Sequence, residues 1–217
     1  MNIYTARRTT MVDTQVRPSD VTKFPIIDAM LQVAREKFVP TSQKETAYVG
    51  ENLEIGDNRV VLEPRTLAKM LDGLDISPDD LVLDLGCGYG YSSAVIARMA
   101  EAVVAVEEDS YIARDAQEAL SEAQADNVIL HEAPLAEGAP EHGPYDVIIV
   151  QGGVASIPAA ILDQMKDGAR IGAVFVENGV GEARIGYKID GNITWRSAFN
   201  AGAPILPGFE AVVEFTF

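Results

Sequence analysis

The chain has 217 residues, 47% of them apolar, with 33 acidic against 17 basic side chains and a formal net charge of −16. That length fits one domain able to bury roughly 70% of its unfolded surface, and a field of that sign opposes phosphate backbones and anionic lipid, so nucleic acid and membranes are not expected partners. A single cysteine, Cys87, leaves no internal disulfide; Arg7 and Arg8 are followed by no apolar run, and no stretch reaches the length of a bilayer span, so the expected location is the cytoplasm.

Residues 1–40 carry helical spacing. Val12, Val16 and, after a break at Pro18, Ile26, Ile27, Met30, Leu31 and Val33 fall on one face, with Asp20 as the expected N-cap of the second piece and Pro25 in its first turns. Residues 41–64 read as loop around Tyr48, Val49, Leu53, Ile55 and the short run Val60-Val61-Leu62, and their position ahead of a sheet suggests a cover over its ligand-bearing edge. A helix follows over 66–74, with Leu67, Met70, Leu71 and Leu74 on one stripe, and Ser77-Pro78-Asp79-Asp80 makes a turn.

From there strands and helices alternate. Apolar runs predict strands at 81–85, 103–106, 128–130, 147–150 and 170–176, and helices at 92–100, 112–123 and 158–165, with Lys166-Asp167-Gly168 as a turn. The pattern then changes to a hairpin, 183–189 and 193–199 about Asp190-Gly191-Asn192. The expected fold is α/β and Rossmann-like: a mostly parallel sheet with an antiparallel edge hairpin, residues 1–64 as a helical and cover segment, and 65–217 as the sheet core of the same domain.

The stretch Leu81-Val82-Leu83-Asp84-Leu85-Gly86-Cys87-Gly88-Tyr89-Gly90-Tyr91-Ser92-Ser93 is the main functional signal. A buried strand breaks into alternate glycines before a helix resumes, and glycine permits both close approach of a ligand and φ values that β-carbons penalise. The spacing is G-x-G-x-G, not the G-x-G-x-x-G of dinucleotide sites, and Asp84 would repel a pyrophosphate but suits a ligand carrying an ammonium group. S-adenosyl-L-methionine has one, and its carboxylate can use the donors at the loop and the helix start by Ser92. The next strand ends in Glu107-Glu108, where an acid can accept from ribose hydroxyls; NAD enzymes use the same device, so the acid alone does not discriminate. The candidate cofactor residues are Asp84, Gly86, Cys87, Gly88, Gly90, Ser92, Glu107, Glu108, Leu135 and Gln151. Cys87 has no histidine near it in sequence, so backbone lining is preferred to a nucleophile.

Several stretches resemble the protein-L-isoaspartate O-methyltransferase family, over nearly the whole chain. They are Met11-Val12-Asp13-Thr14-Gln15-Val16-Arg17, Asp28-Ala29-Met30, Arg35-Glu36-Lys37-Phe38-Val39-Pro40, Ala47-Tyr48, Leu53-Glu54-Ile55-Gly56, Tyr145-Asp146-Val147-Ile148-Ile149-Val150 and Gln164-Met165-Lys166-Asp167-Gly168-Ala169-Arg170. The resemblance implies a class I methyltransferase fold with seven strands in the order 3-2-1-4-5-7-6. It also implies a monomer or weak oligomer that methylates a carboxylate of isoaspartyl residues in damaged proteins with S-adenosyl-L-methionine, which begins their repair. Two places depart from the pattern. Where the family reads G-Q-T-I-S-Q-P, with a hydroxyl beside cofactor and acceptor, this chain reads Asn58-Arg59-Val60-Val61-Leu62-Glu63-Pro64, so the wall turns apolar at Val60 and Leu62. Where the family has G-D-G near adenine, this chain has Ala133-Pro134-Leu135, which leaves Leu135 to lie on the ring.

An ionised carboxylate acceptor needs no general base, which agrees with the lack of an obvious acid/base pair. His131 and His142 read as structural or solvated, without partners at metal-ligand spacing, so no metal is expected. Arg59 and Glu63 read either as contacts for a different acceptor or as an exposed charged pair. A cofactor-binding homologue with another acceptor or no transfer activity is the alternative; an NAD-dependent oxidoreductase is disfavoured by the glycine spacing and Asp84.

Overall fold

The computed structural model describes residues 3–211. The N-terminal segment is helical as expected: α1 (Ile3–Met11) runs through a wider turn at Val12–Val16 and a tight one at Arg17–Ser19 before α2 (Phe24–Gln32). Val12, Val16, Ile26, Ile27 and Met30 are buried in one cluster, so the apolar face does its predicted work. Asp20 is not the N-cap of α2. It is left-handed (φ 66°) and ends the preceding turn, while Lys23 takes the cap position ahead of Phe24 and Pro25, whose fixed φ suits the first turn.

Part of the expected loop is a two-stranded antiparallel hairpin, β1 (Leu53–Gly56) and β2 (Arg59–Val61), which forms a sheet of its own. Its turn holds Asn58 at φ 55°, a conformation asparagine tolerates. Helix α3 (Pro64–Leu74) follows with Leu67, Met70, Leu71 and Leu74 buried.

The main sheet comprises β3 (Leu81–Leu85), β4 (Ala102–Glu107), β5 (Val128–Glu132), β6 (Tyr145–Val154), β7 (Met165–Glu177), β8 (Val180–Ile189) and β9 (Asn192–Asn200), interleaved with α4 (Tyr91–Ile96), α5 (Ser110–Glu122) and α6 (Ala159–Leu162). The five strands β5-β4-β3-β6-β7 are parallel, and β8 and β9 add antiparallel at one edge. Side chains alternate between two buried layers: Val82, Val103, Val147 and Ile149 face one, Leu83, Val104, Ile148 and Val150 the other. Burial on both faces explains why these strands read as unbroken apolar runs.

The observed order is β5-β4-β3-β6-β7-β8-β9, or 3-2-1-4-5-6-7 in sheet-strand numbers, which corrects the order implied by the resemblance. The cause is local. Asn178-Gly179 and Asp190-Gly191 all have positive φ, giving two-residue turns that return each strand beside its predecessor and leave no opening for a later one. Two expected elements also shrink or shift. The helix predicted over 158–165 is the short α6, and Lys166-Asp167-Gly168 lies within β7, where the register against β6 is irregular and Gly168 adopts φ 83°.

Candidate cofactor site

The glycine loop has the backbone its residues call for. Gly86, Gly88 and Gly90 all take positive φ (75°, 56° and 89°), a region that side-chain-bearing residues avoid. The amides of Gly86 and Cys87 both donate to the Val106 carbonyl, at 3.0 and 3.2 Å, so the loop is tied down to β4 beside the acid that ends it. Gly90 then stands at the N-cap of α4.

Asp84 is fully buried, and its carboxylate is turned toward its own chain. Oδ2 accepts from Ser92 Oγ and Ser93 Oγ, both at 2.6 Å, and Oδ1 accepts from Gln151 Nε2 at 2.7 Å. Burial raises this carboxyl above the usual aspartate range, against the three hydrogen bonds that favour its ionised form. The predicted residues Asp84, Ser92 and Gln151 are therefore in one network, with Ser93 as a member the sequence reading missed. Cys87 is buried, its thiol pushed well above the ordinary value by burial and by the nearby Asp84 and Glu107 charges. A protonated thiol in that position lines the backbone and is no nucleophile.

Glu107 has no solvent exposure and is surrounded by donors. Its Oε1 accepts from the amides of Glu108 and Asp109 at 3.0 and 3.1 Å, and its Oε2 from the Gly88 amide at 2.9 Å. Arg59, from β2, closes on the same carboxylate in a bidentate pair, Nη1 to Oε1 at 2.7 Å and Nη2 to Oε2 at 2.5 Å. Glu108, with its side chain 30% exposed, stands 3.9 Å from Nη1. Arg59 itself is only 5% exposed, which corrects the expectation of an exposed charged pair with Glu63. Glu63 instead accepts from Thr66 Oγ1 at 2.7 Å.

Apolar side chains complete the enclosure. A β-carbon built on Gly86 would stand 3.3 Å from Leu206, 3.5 Å from Leu135 and 3.6 Å from Arg59 Nη2, and one on Gly88 would stand 2.6 Å from Ile55 Cδ1. Leu135 is fully buried beside the loop, next to Gly86. Leu206 was not foreseen. The segment carrying it returns along the end of β6, through Gly153 N to Pro204 O at 2.7 Å and Leu206 N to Gly153 O at 2.9 Å. At the helix end of the loop, Val60, Val61, Leu62, Cys87, Tyr91, Ser92 and Gln151 border a void of about 10 Å³, room for about one water.

The two histidines are not isolated from carboxylates. His131, at the end of β5, meets Glu141 and His142 from the turn Pro140–His142, and one ligand-type atom of each lies within 4.8 Å of the others. His131 Nε2 is 3.3 Å from Glu141 Oε1, and the imidazoles stand edge to face.

A sequence model of the protein-L-isoaspartate(D-aspartate) O-methyltransferase family matches residues 6–185. The chain belongs to that family. A relative from Pelotomaculum thermopropionicum, a protein-L-isoaspartate O-methyltransferase, is 33% identical over 164 residues, 76% of this chain and 72% of its own. Another from Nitrosococcus oceani is 36% identical over 146 residues, 67% of each chain. Among solved structures, a protein-L-isoaspartate O-methyltransferase superposes with a TM-score of 0.81 at 24% identity, covering 94% of this chain and 67% of that one. A putative family member from Plasmodium falciparum, in complex with S-adenosyl-L-homocysteine, gives 0.80 at 18% identity over 96% of this chain and 100% of that one. These structures share the fold. Within the family pattern, Val60 and Leu62 stand where the signature carries hydroxyls. Both are buried, 4% and 2% exposed, and border the same small void as Tyr91 and Cys87, so the apolar change lies inside the molecule and not at its surface.

The donor set suits an adenosyl group: a floor of left-handed glycines, a buried acid at the end of β4, and leucines on two sides. The space above that floor is held by the chain's own Arg59, Ile55 and Leu206.

Proposed function

We propose that this protein is an S-adenosyl-L-methionine-dependent O-methyltransferase acting on a carboxylate of isoaspartyl residues in damaged proteins, the opening step of their repair. The observation that carries the reading is the juxtaposition of Gly86, Gly88 and Gly90, all left-handed, with the buried Glu107 carboxylate in a chain of this family. When bound, the cofactor supplies a methyl already activated on a sulfonium. The loop glycines keep side chains away from it, Glu107 and Glu108 would hold the ribose, and Leu135 and Leu206 would flank the adenine. Asp84, with Ser92, Ser93 and Gln151, would fix the loop-to-helix corner behind the amino acid end.

The remaining work is alignment and exclusion of water. Val60, Leu62 and Tyr91 would form a dry wall at the reacting end, and a carboxylate acceptor would need no proton removed there. The proposed substrates are proteins or peptides; the enzyme would act as a monomer or weak oligomer. The proposed location is the cytoplasm, since one buried cysteine calls for no oxidising compartment. Among the described residues no helix is long and apolar enough to cross a membrane.

A second reading, cofactor binding with a different acceptor or without transfer, is favoured by one observation: the family's hydroxyl positions are the buried Val60 and Leu62. The test is methyl transfer from labelled S-adenosyl-L-methionine to an isoaspartyl peptide beside its aspartyl form. Incorporation into the isoaspartyl peptide alone supports the first reading; none into either, with cofactor bound, supports the second.

A further inference from the structure

We propose that Arg59 is a built-in occupant of the acid that would receive the ribose, so that cofactor binding and the Arg59–Glu107 pair exclude one another and Arg59 sets the affinity for the adenosyl ligand. The inference rests on the methyltransferase reading above.

A carboxylate offers about four lone-pair positions. Glu107 already accepts five hydrogen bonds: two from Arg59, and one each from the amides of Gly88, Glu108 and Asp109. A ribose hydroxyl can reach this acid only by replacing a donor. The three amides cannot leave, because they belong to the loop and strand that define the site. Arg59 can, because it comes from β2, in a hairpin whose strands bond to each other and not to the main sheet. Two paired strands alone have little stability of their own, and this hairpin is held by packing, with Leu53, Val60 and Val61 in the main core cluster, so it is the long Arg59 side chain that can swing away. The base of the hairpin is held by Asn52 Oδ1, which accepts from the Glu63 amide at 2.8 Å, and by Arg35 Nη2, which donates to the Leu62 carbonyl at 2.9 Å.

The same hairpin brings Ile55 over Gly88, so one element carries both occupants of the ribose end. Arg59 Nε, buried, has no hydrogen-bond partner among the described residues, so the pair holds the guanidinium without satisfying it. Glu108 Oε1, 3.9 Å from Nη1 and partly exposed, gives the displaced cation a second carboxylate nearby. Replacing a charged fork by two neutral hydroxyls on a buried carboxylate is an unfavourable exchange, and the wild type is therefore a weak binder.

The test is calorimetric titration of the full chain with S-adenosyl-L-homocysteine, comparing wild type with Arg59→Ala, Arg59→Gln and Arg59→Lys. The neutral variants are expected to bind at least tenfold more tightly than wild type. Arg59→Lys, which keeps the charge and so the fold should the others fail to fold, presents a single point donor and is expected to bind at least threefold more tightly. Equal or weaker binding by the folded variants, with wild type binding, overturns the role of Arg59 and leaves the methyltransferase reading in place. Absence of binding by wild type and every folded variant overturns that reading itself, and this proposal with it.

Discussion

Glu107→Gln isolates the buried pair. The substitution keeps the shape of the side chain but puts an amide NH2 among donors: Oε1 faces Arg59 Nη1 and the amides of Glu108 and Asp109, Oε2 faces Arg59 Nη2 and the Gly88 amide. Either orientation of the amide sets hydrogen against hydrogen, and Arg59, 5% exposed, loses its bidentate carboxylate and keeps only Glu108 Oε1 at 3.9 Å. Breaking one side of a buried ion pair costs about 3–5 kcal/mol, which for a chain of this size lowers the melting temperature by roughly 10 °C. Urea unfolding followed by circular dichroism reads it as a lower midpoint at unchanged slope. The double variant Arg59→Met with Glu107→Gln should recover more than half of the loss, because no cation is then stranded. A single-variant loss below about 1 kcal/mol, or a double variant no more stable than the single, would mean that the pair is solvated and the reasoning wrong.

Gly88→Val combines a β-branched side chain at φ 56° with a β-carbon 2.6 Å from Ile55 Cδ1, and should abolish S-adenosyl-L-homocysteine binding in calorimetry; retained affinity would put the ligand elsewhere. Leu62→Ser removes a 2% exposed side chain at a cost of about 2–4 kcal/mol and restores the family's hydroxyl, so it should raise the rate of isoaspartyl methylation; an unchanged rate would remove that hydroxyl from the account. Asp146 concerns stability alone. Burial pushes its carboxyl up, but Lys166 Nζ at 2.7 Å, the Leu81 amide at 2.9 Å and Arg170 outweigh burial and hold it below the usual range. Its contribution is present above the unfolded value of about 3.9 and is lost as pH falls through the lower folded value. Asp146→Asn should therefore lose about 1 kcal/mol at pH 7, with the gap to wild type closing below pH ~4; a gap independent of pH would count against the ion pair.

The glycine loop was legible because everything that shapes it is local. An apolar run, alternate glycines and a helix start sit within thirteen consecutive residues, Leu81 to Ser93, and the backbone follows from them. The acid at Glu107 was legible for a related reason, since a parallel strand following a short helix must return beside β3. Arg59 was not legible. Its partner lies 48 residues away, and the strand that carries it has three residues, too few for alternation to register. Leu206 escaped for the same cause, being brought to Gly86 by backbone bonds from the Pro204 and Leu206 stretch to Gly153. The turns Asn178-Gly179 and Asp190-Gly191 together fix the edge order, since two-residue loops join only neighbours, but the first is followed by Val180-Gly181-Glu182, with no clear alternation, and only the second stands out as a hairpin in the sequence. The meeting of His131 with Glu141 and His142 depends on how the chain returns between β5 and β6, which no spacing rule encodes.

In the proposed mechanism the acid under the glycine loop serves the adenosyl ligand and is held by Arg59 until that ligand arrives. A crystal structure of the full chain with S-adenosyl-L-homocysteine tests it most directly. Ribose hydroxyls are expected on the Glu107 carboxylate, with the Arg59 guanidinium withdrawn and Ile55 shifted away from Gly88. Ligand bound with the Arg59–Glu107 pair intact would contradict this mechanism.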